Sequence, residues 1–197
     1  MNTPLNNPAD SSATLPASDP ATGSEVDLSE SLILIVDDNA QNVELLQAYL
    51  ETLPCRTITA ADGIEAMTFI DDLVARGQAL PDLVLLDIMM PRMSGFEVCR
   101  KIKDDPVTRS IPVMMVTALN ELGDIERGVE SGTDDFLSKP VNKLELITRV
   151  KSLLRVRHLK RELDRTMAYI QDIESRSLGA PGSEGTPGSS FPGQGKE

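Results

Sequence analysis

The sequence predicts an α/β fold, a parallel five-stranded sheet wrapped by helices, on two observations. Short apolar runs (LILIV at 32–36, LVLL at 83–86, VMMV at 113–116) alternate with longer stretches of helical periodicity. Each run is apolar at successive positions rather than at every second one, the pattern of a strand covered on both faces. Two weaker segments, Arg56 to Thr59 and Asp135 to Leu137, bring the strands to five.

The intervening helices carry their own start and stop signals. Asn39 precedes QNVELLQAYL as a cap. Asp62 with Glu65 and Ser94 with Glu97 have the spacing of a capping box, in which two side chains satisfy orphan backbone donors reciprocally. Gly77 is placed to stop the second helix. The last helical pattern runs from about Asn142 to Ser175 without Gly or Pro, too long to pack on one small domain throughout. Along it Val156, Leu159, Leu163, Thr166, Ile170 and Ile173 recur at alternating steps of three and four, the spacing of a coiled-coil seam, which predicts a parallel homodimer. Thr166 weakens that seam.

Residues 1–30 carry Asp10, Asp19, Glu25, Asp27 and Glu30 with no Lys or Arg and almost no apolar periodicity, so they are expected to be disordered. The same expectation holds for the Gly, Pro and Ser-rich tail at 177–197. The folded domain is expected at 31–155 and the helical extension at 156–176. A formal net charge of -12 argues against a general nucleic-acid binder and for protein or ion partners. Cys55 and Cys99 are far apart and lack CxxC spacing, so neither a disulfide framework nor a thiolate metal site is read, and a reducing cytoplasm is inferred. No apolar stretch reaches membrane-spanning length, and no membrane association is expected.

The chemistry lies where the strands end, because open parallel sheets bind ligands outside the carboxyl ends of their strands. The first strand runs into Asp37-Asp38, the third into Asp87, the fourth into Thr117, and the fifth through Ser138 into Lys139-Pro140. Three carboxylates crowded on one rim repel one another unless a hard cation neutralises them, and oxygen-only ligands point to Mg2+. Thr117 adds a hydroxyl donor and Lys139 a fixed cation for phosphoryl oxygens. Singly, an Asp, Thr or Lys after an apolar run is an ordinary turn or surface residue. Four strand ends delivering such groups to one rim predict an aspartyl-phosphate site.

The segments LILIVDDN, PDLVLLDIMMPRMSGFEVC, IPVMMVTA and GTDDFLSKP resemble the receiver domain of two-component response regulators over about residues 31 to 155. The resemblance implies a flavodoxin-like sheet in the order 2-1-3-4-5, the strand order that chemotaxis receivers share with flavodoxin. It implies Asp87 as phosphoacceptor, with Asp37, Asp38, Asp87 and the Met89 backbone carbonyl holding Mg2+, and with Thr117 and Lys139 contacting the phosphoryl group. It implies a cis bond before Pro140. It also implies a switch in which Thr117 and Phe136 couple the site to the face of the fourth helix, fifth strand and fifth helix. The phosphoryl source would be a sensor histidine kinase or phosphotransfer protein, with the receiver catalysing only its own modification and turning over no external substrate. The downstream protein target is unspecified.

Met89 and Leu119 depart from receivers that carry polar groups there to position water, so a comparatively long-lived phosphoryl group is expected. LLRVRHLKREL is similar to linkers joining receivers to GGDEF or HD-GYP enzymes, which leaves a stand-alone receiver with a stalk or the regulatory part of a longer protein. The basic run from Arg149 to Arg165, including His158, reads as a solvated helix face balanced by Glu162 and Asp164. Two rivals stand. A haloacid-dehalogenase-like phosphatase would need DxD where this chain has Asp37-Asp38-Asn39. A constitutive dimeric interaction scaffold would leave the acidic site unused.

Overall fold

The computed structural model describes residues 27–118 and 122–178. Leu119, most of the amino-terminal segment and the tail from 179 lie outside the described residues. In chain order the elements are β1 (Leu32–Val36), α1 (Ala40–Leu50), β2 (Arg56–Ala60), α2 (Gly63–Ala75), β3 (Leu83–Leu86), α3 (Gly95–Asp104), β4 (Val113–Thr117), α4 (Leu122–Glu130), β5 (Asp135–Ser138) and α5 (Lys143–Leu178). The strands form one sheet in the order β2-β1-β3-β4-β5, every pair parallel.

Strand alternation divides the apolar side chains between two cores. Leu34, Val36, Val84, Leu86, Val113 and Met115 face α2 and α3, where they meet Ala66, Ile70, Val98 and Ile102. Ile33, Ile35, Leu83, Leu85, Met114 and Val116 face α1 and α5, where they meet Leu46, Leu50, Leu146, Val150 and Leu154. Burial of each such side chain contributes about 1.5–3 kcal/mol, which explains why these strands are apolar at every position.

The helix ends follow local chemistry. Asn39 caps α1 by accepting from Gln41 N, and Ser94 with Glu97 closes a complete capping box on α3. Asp62 caps α2 through Ile64 N and Glu65 N, but Glu65 accepts from Ala61 N rather than from the cap's own N–H. The expected box at α2 is therefore shifted by one residue. At its other end Gly77, at φ 61°, donates to Val74 O while Gln78 N donates to Leu73 O, a Schellman closure that requires the left-handed conformation glycine supplies.

Within the expected amino-terminal disorder, residues 27–30 form a turn in which Leu28 is buried in the α1/α5 core. Helix α5 begins with Asn142 accepting from Glu145 N and runs for 36 residues. Its stripe Leu146, Val150, Leu154, Arg157 and Arg161 turns toward the domain. At 3.6 residues per turn, Val156, Leu159, Leu163, Thr166, Ile170 and Ile173 fall on the opposite side. The apolar members of that seam range from 46% exposed at Ile170 to 61% at Val156 and Leu163. No helix among the described residues is long and apolar enough to cross a membrane.

Candidate functional site

Parallel pairing brings the carboxyl ends of β1, β3, β4 and β5 to one rim, and the polar residues that follow converge there. Asp37, Asp38 and Asp87 each present a carboxylate oxygen within 4.8 Å of the others. Asp37 and Asp87 are buried and Asp38 is exposed. Lys139 reaches across from β5, its Nζ 2.8 Å from Asp37 Oδ2 and 3.0 Å from Asp87 Oδ1. Thr117, buried at the end of β4, lies opposite Ser138, and its carbonyl accepts from Lys139 N at 2.9 Å. The Lys139–Pro140 peptide bond is cis.

Asp37 is oriented by neighbours on and before α1: its Oδ1 accepts from Asn39 N at 2.9 Å and from Asn42 Nδ2 at 3.1 Å. Burial pushes the Asp87 carboxyl above the ordinary aspartate range, Asp37 adds to that shift, and Lys139 opposes it. Burial also pulls Lys139 down, but its hydrogen bonds to Asp37 and Asp87 win, leaving its pKa raised. The rim thus holds more negative charge than one ammonium can offset. A hard divalent cation fits that all-oxygen donor set, with Asp37, Asp38 and Asp87 as the side chains that could hold it.

Met89 lies in the loop after β3 with its side chain 66% exposed. Phe136 lies on β5, half-buried and paired through its backbone with Met115. A β-carbon on Gly128 of α4 would fall on its ring.

Several supporting residues carry no plain signal in the sequence. Gly95, at the start of α3, is so close to the Asp87 carbonyl that a β-carbon there would strike it, and its N–H donates to Ile88 O at 3.0 Å. Its place in SGFE, one residue into a capped helix, is the one sequence clue to it. Arg92 adopts φ 70° in the loop after Asp87 and pairs with Asp62 at the cap of α2. Asp82, buried at the other end of the sheet, accepts from Leu32 N through Oδ2 and from Arg161 through Oδ1. Arg157 is also buried there, which corrects the expectation that the whole basic run is solvated.

The family model for the response regulator receiver domain matches residues 33–151, and the chain belongs to that family. Response regulator PleD of Caulobacter vibrioides is 50% identical over 131 residues, which are 66% of this chain and 28% of that protein. The DNA-binding dual master transcriptional regulator RpaA of Synechocystis is 40% identical over 128 residues, 62% of this chain and 48% of that protein. The chain therefore spans from about a quarter to about half of these relatives' length. Among solved structures, the signal receiver domain of a signal transduction histidine kinase from Syntrophus aciditrophicus aligns with TM-score 0.57 and 36% identity. That match covers 64% of this chain and 91% of the other.

Proposed function

We propose that this chain accepts a phosphoryl group on Asp87 from a phosphohistidine of a sensor histidine kinase or phosphotransfer protein. The observation that carries this reading is the buried Asp87 carboxylate sharing one rim with Asp37, Asp38 and Lys139. In the transfer an Asp87 carboxylate oxygen forms the new O–P bond as the N–P bond breaks, and the imidazole leaves with the bonding electron pair. Lys139 supplies a fixed positive charge to the phosphoryl oxygens, and Thr117 supplies a hydroxyl at the neighbouring strand end. Asp37, held by Asn39 and Asn42, keeps its carboxylate aimed at the rim. Mg2+ would be held by Asp37, Asp38, Asp87 and the Met89 carbonyl, and when bound it neutralises the charge that otherwise repels the donor. The chain turns over no external substrate.

The modification is read out by Thr117 and Phe136 on the face formed by α4, β5 and α5, and passes to a homodimer paired along the α5 seam. The exposed seam on the side of α5 away from the domain supports that pairing, since a second helix can approach without a receiver body between. Protein rather than nucleic-acid partners follow from the net charge of -12; DNA binding is named for RpaA, not for this chain.

The test is incubation with Mg2+ and a small acyl phosphate, read by intact mass and size-exclusion chromatography. One phosphoryl adduct, absent in Asp87→Asn, is expected. A stable dimer with no adduct would establish the scaffold instead, and sustained phosphate release from unrelated phosphoesters the phosphatase.

A further inference from the structure

At the amino-terminal ends of β4 and β5, opposite the carboxylate rim, the connection from α3 to β4 and the middle of α5 enclose a cavity of about 130 Å3. Its charged lining is Lys103, Arg109, Arg157 and Lys160 against one carboxylate, Asp134. Four positive charges and one negative leave a surplus of three, in a chain whose formal net charge is -12. Asp134 is already engaged: its Oδ2 accepts from Lys103 Nζ at 2.6 Å and from Val113 N at 2.7 Å.

Arg157 is the unusual member. Its side chain is 7% exposed. One terminal nitrogen donates to the Ser110 carbonyl at 2.8 Å and to Ser110 Oγ at 2.7 Å, both uncharged acceptors on the cavity wall. Its Nε is buried with no hydrogen-bond partner. The carboxylate oxygen beside that nitrogen, Asp82 Oδ1, is 4.0 Å away and is held more closely by Arg161. Burial first, then Arg161, depresses the Arg157 pKa. With its hydrogen bonds going to neutral acceptors and Asp82 no nearer than 4.0 Å, Arg157 has its desolvation cost only partly compensated.

We propose that this cavity binds the phosphate group of a small anion, with Arg157 as the buried charge beneath it and the exposed Arg109 and Lys160 as the contacts at its mouth. A surplus of three charges suits a multiply charged oxyanion better than a carboxylate, and guanidinium groups match its donor geometry. A compact concave site differs from the basic stripe needed to follow successive phosphates of a nucleic acid. The site is built half from the domain and half from α5, so the bound anion ties the middle of the helix to the body. It does not depend on Asp87 chemistry.

The test uses the full chain carrying Asp87→Asn in Mg2+-free buffer, which separates this site from the rim. Inorganic phosphate, pyrophosphate and glycerol phosphate are titrated at constant ionic strength and followed by amide NMR. Saturable shifts centred on Arg109, Ser110 and Lys160 are expected, with affinity at least tenfold weaker in Arg157→Gln and in the double variant Arg109→Ala/Lys160→Ala. Should Arg157→Gln fail to fold, the double variant, which leaves the buried contacts intact, decides. Glycerol phosphate binding as tightly as phosphate supports the site and assigns it to phosphate esters; phosphate alone binding supports it and assigns it to the free ion. No saturable shift up to the order of 10 mM anion, or unchanged affinity in the double variant, overturns the proposal.

Discussion

Gly128 on α4 lies directly beneath the ring of Phe136 on β5, so closely that a β-carbon at position 128 would fall on the ring. The two positions are thereby coupled: one can gain volume only if the other moves. Gly128→Ala gains about 1 kcal/mol of helix propensity but incurs an overpacking cost of about 1–3 kcal/mol. Net destabilisation is expected in urea unfolding. Gly128→Ala placed on a Phe136→Leu background should lose that penalty. Equal effects of Gly128→Ala on both backgrounds would show that the ring does not oppose the helix.

Lys139 is the cation between Asp37 and Asp87, and its raised pKa fixes the sign of its contribution. Stabilisation from these pairs is fully present at neutral pH and is lost only as pH rises past the ordinary lysine value through the raised one. Lys139→Ala should therefore lower metal-free stability at neutral pH by up to about 3 kcal/mol and strengthen Mg2+ binding, since no ammonium competes for the carboxylates. The chain has no Trp, so unfolding is best followed by circular dichroism. A smaller Mg2+-induced rise in melting temperature than in the unsubstituted chain would contradict this.

Met89 offers only an exposed thioether in the loop after Asp87, the proposed phosphoacceptor, with no group to orient an attacking water. In Met89→Asp the phosphoryl adduct should decay about tenfold faster, equivalent to about 1.4 kcal/mol, as followed by intact mass. An unchanged or longer lifetime would dismiss this role for position 89.

The rim was legible because the strands carrying its carboxylates and Thr117 are continuous apolar runs, so the first polar residue of each marks its carboxyl end. The sheet order 2-1-3-4-5 followed from the same motifs through the family resemblance, and the structure shows it. What escaped was long-range and local to single atoms. A run of basic residues balanced by Glu162 and Asp164 made Arg157 and Arg161 look like members of a solvated face, yet Arg157 meets Ser110 and Arg161 meets Asp82, 79 positions away in sequence. Nothing in a helical period reports a partner so distant. The shifted cap at α2 was hidden similarly, because Glu65 reaches Ala61 while Arg92, from another loop, pairs with Asp62.

Asp82 ties that distal end together by joining the start of β1 to the middle of the long helix. Removing it strands Arg157 and Arg161 together, and Asp82→Ala should cost about 3 kcal/mol. Arg161→Ala, at a third-exposed position, should cost under about 1 kcal/mol yet speed amide exchange in the middle of α5. Equal losses in the two variants would mean that Asp82 acts through Arg161 alone.

Leu163 tests whether the long helix pairs with a second copy. It is 61% exposed, so a charge there should leave the monomer's stability within about 0.5 kcal/mol of the original chain. In a parallel pair the same substitution places two carboxylates in one seam layer, where burial and like-charge repulsion both oppose association. Leu163→Glu should therefore be monomeric by sedimentation at concentrations where the unsubstituted chain is dimeric, and should still take up phosphoryl on Asp87. Tyr169→Glu, exposed but off the seam, should leave the dimer intact. Were the unsubstituted chain monomeric throughout, or the dimer unaffected by Leu163→Glu, the seam would have to be reassigned to a partner other than a second copy of this chain.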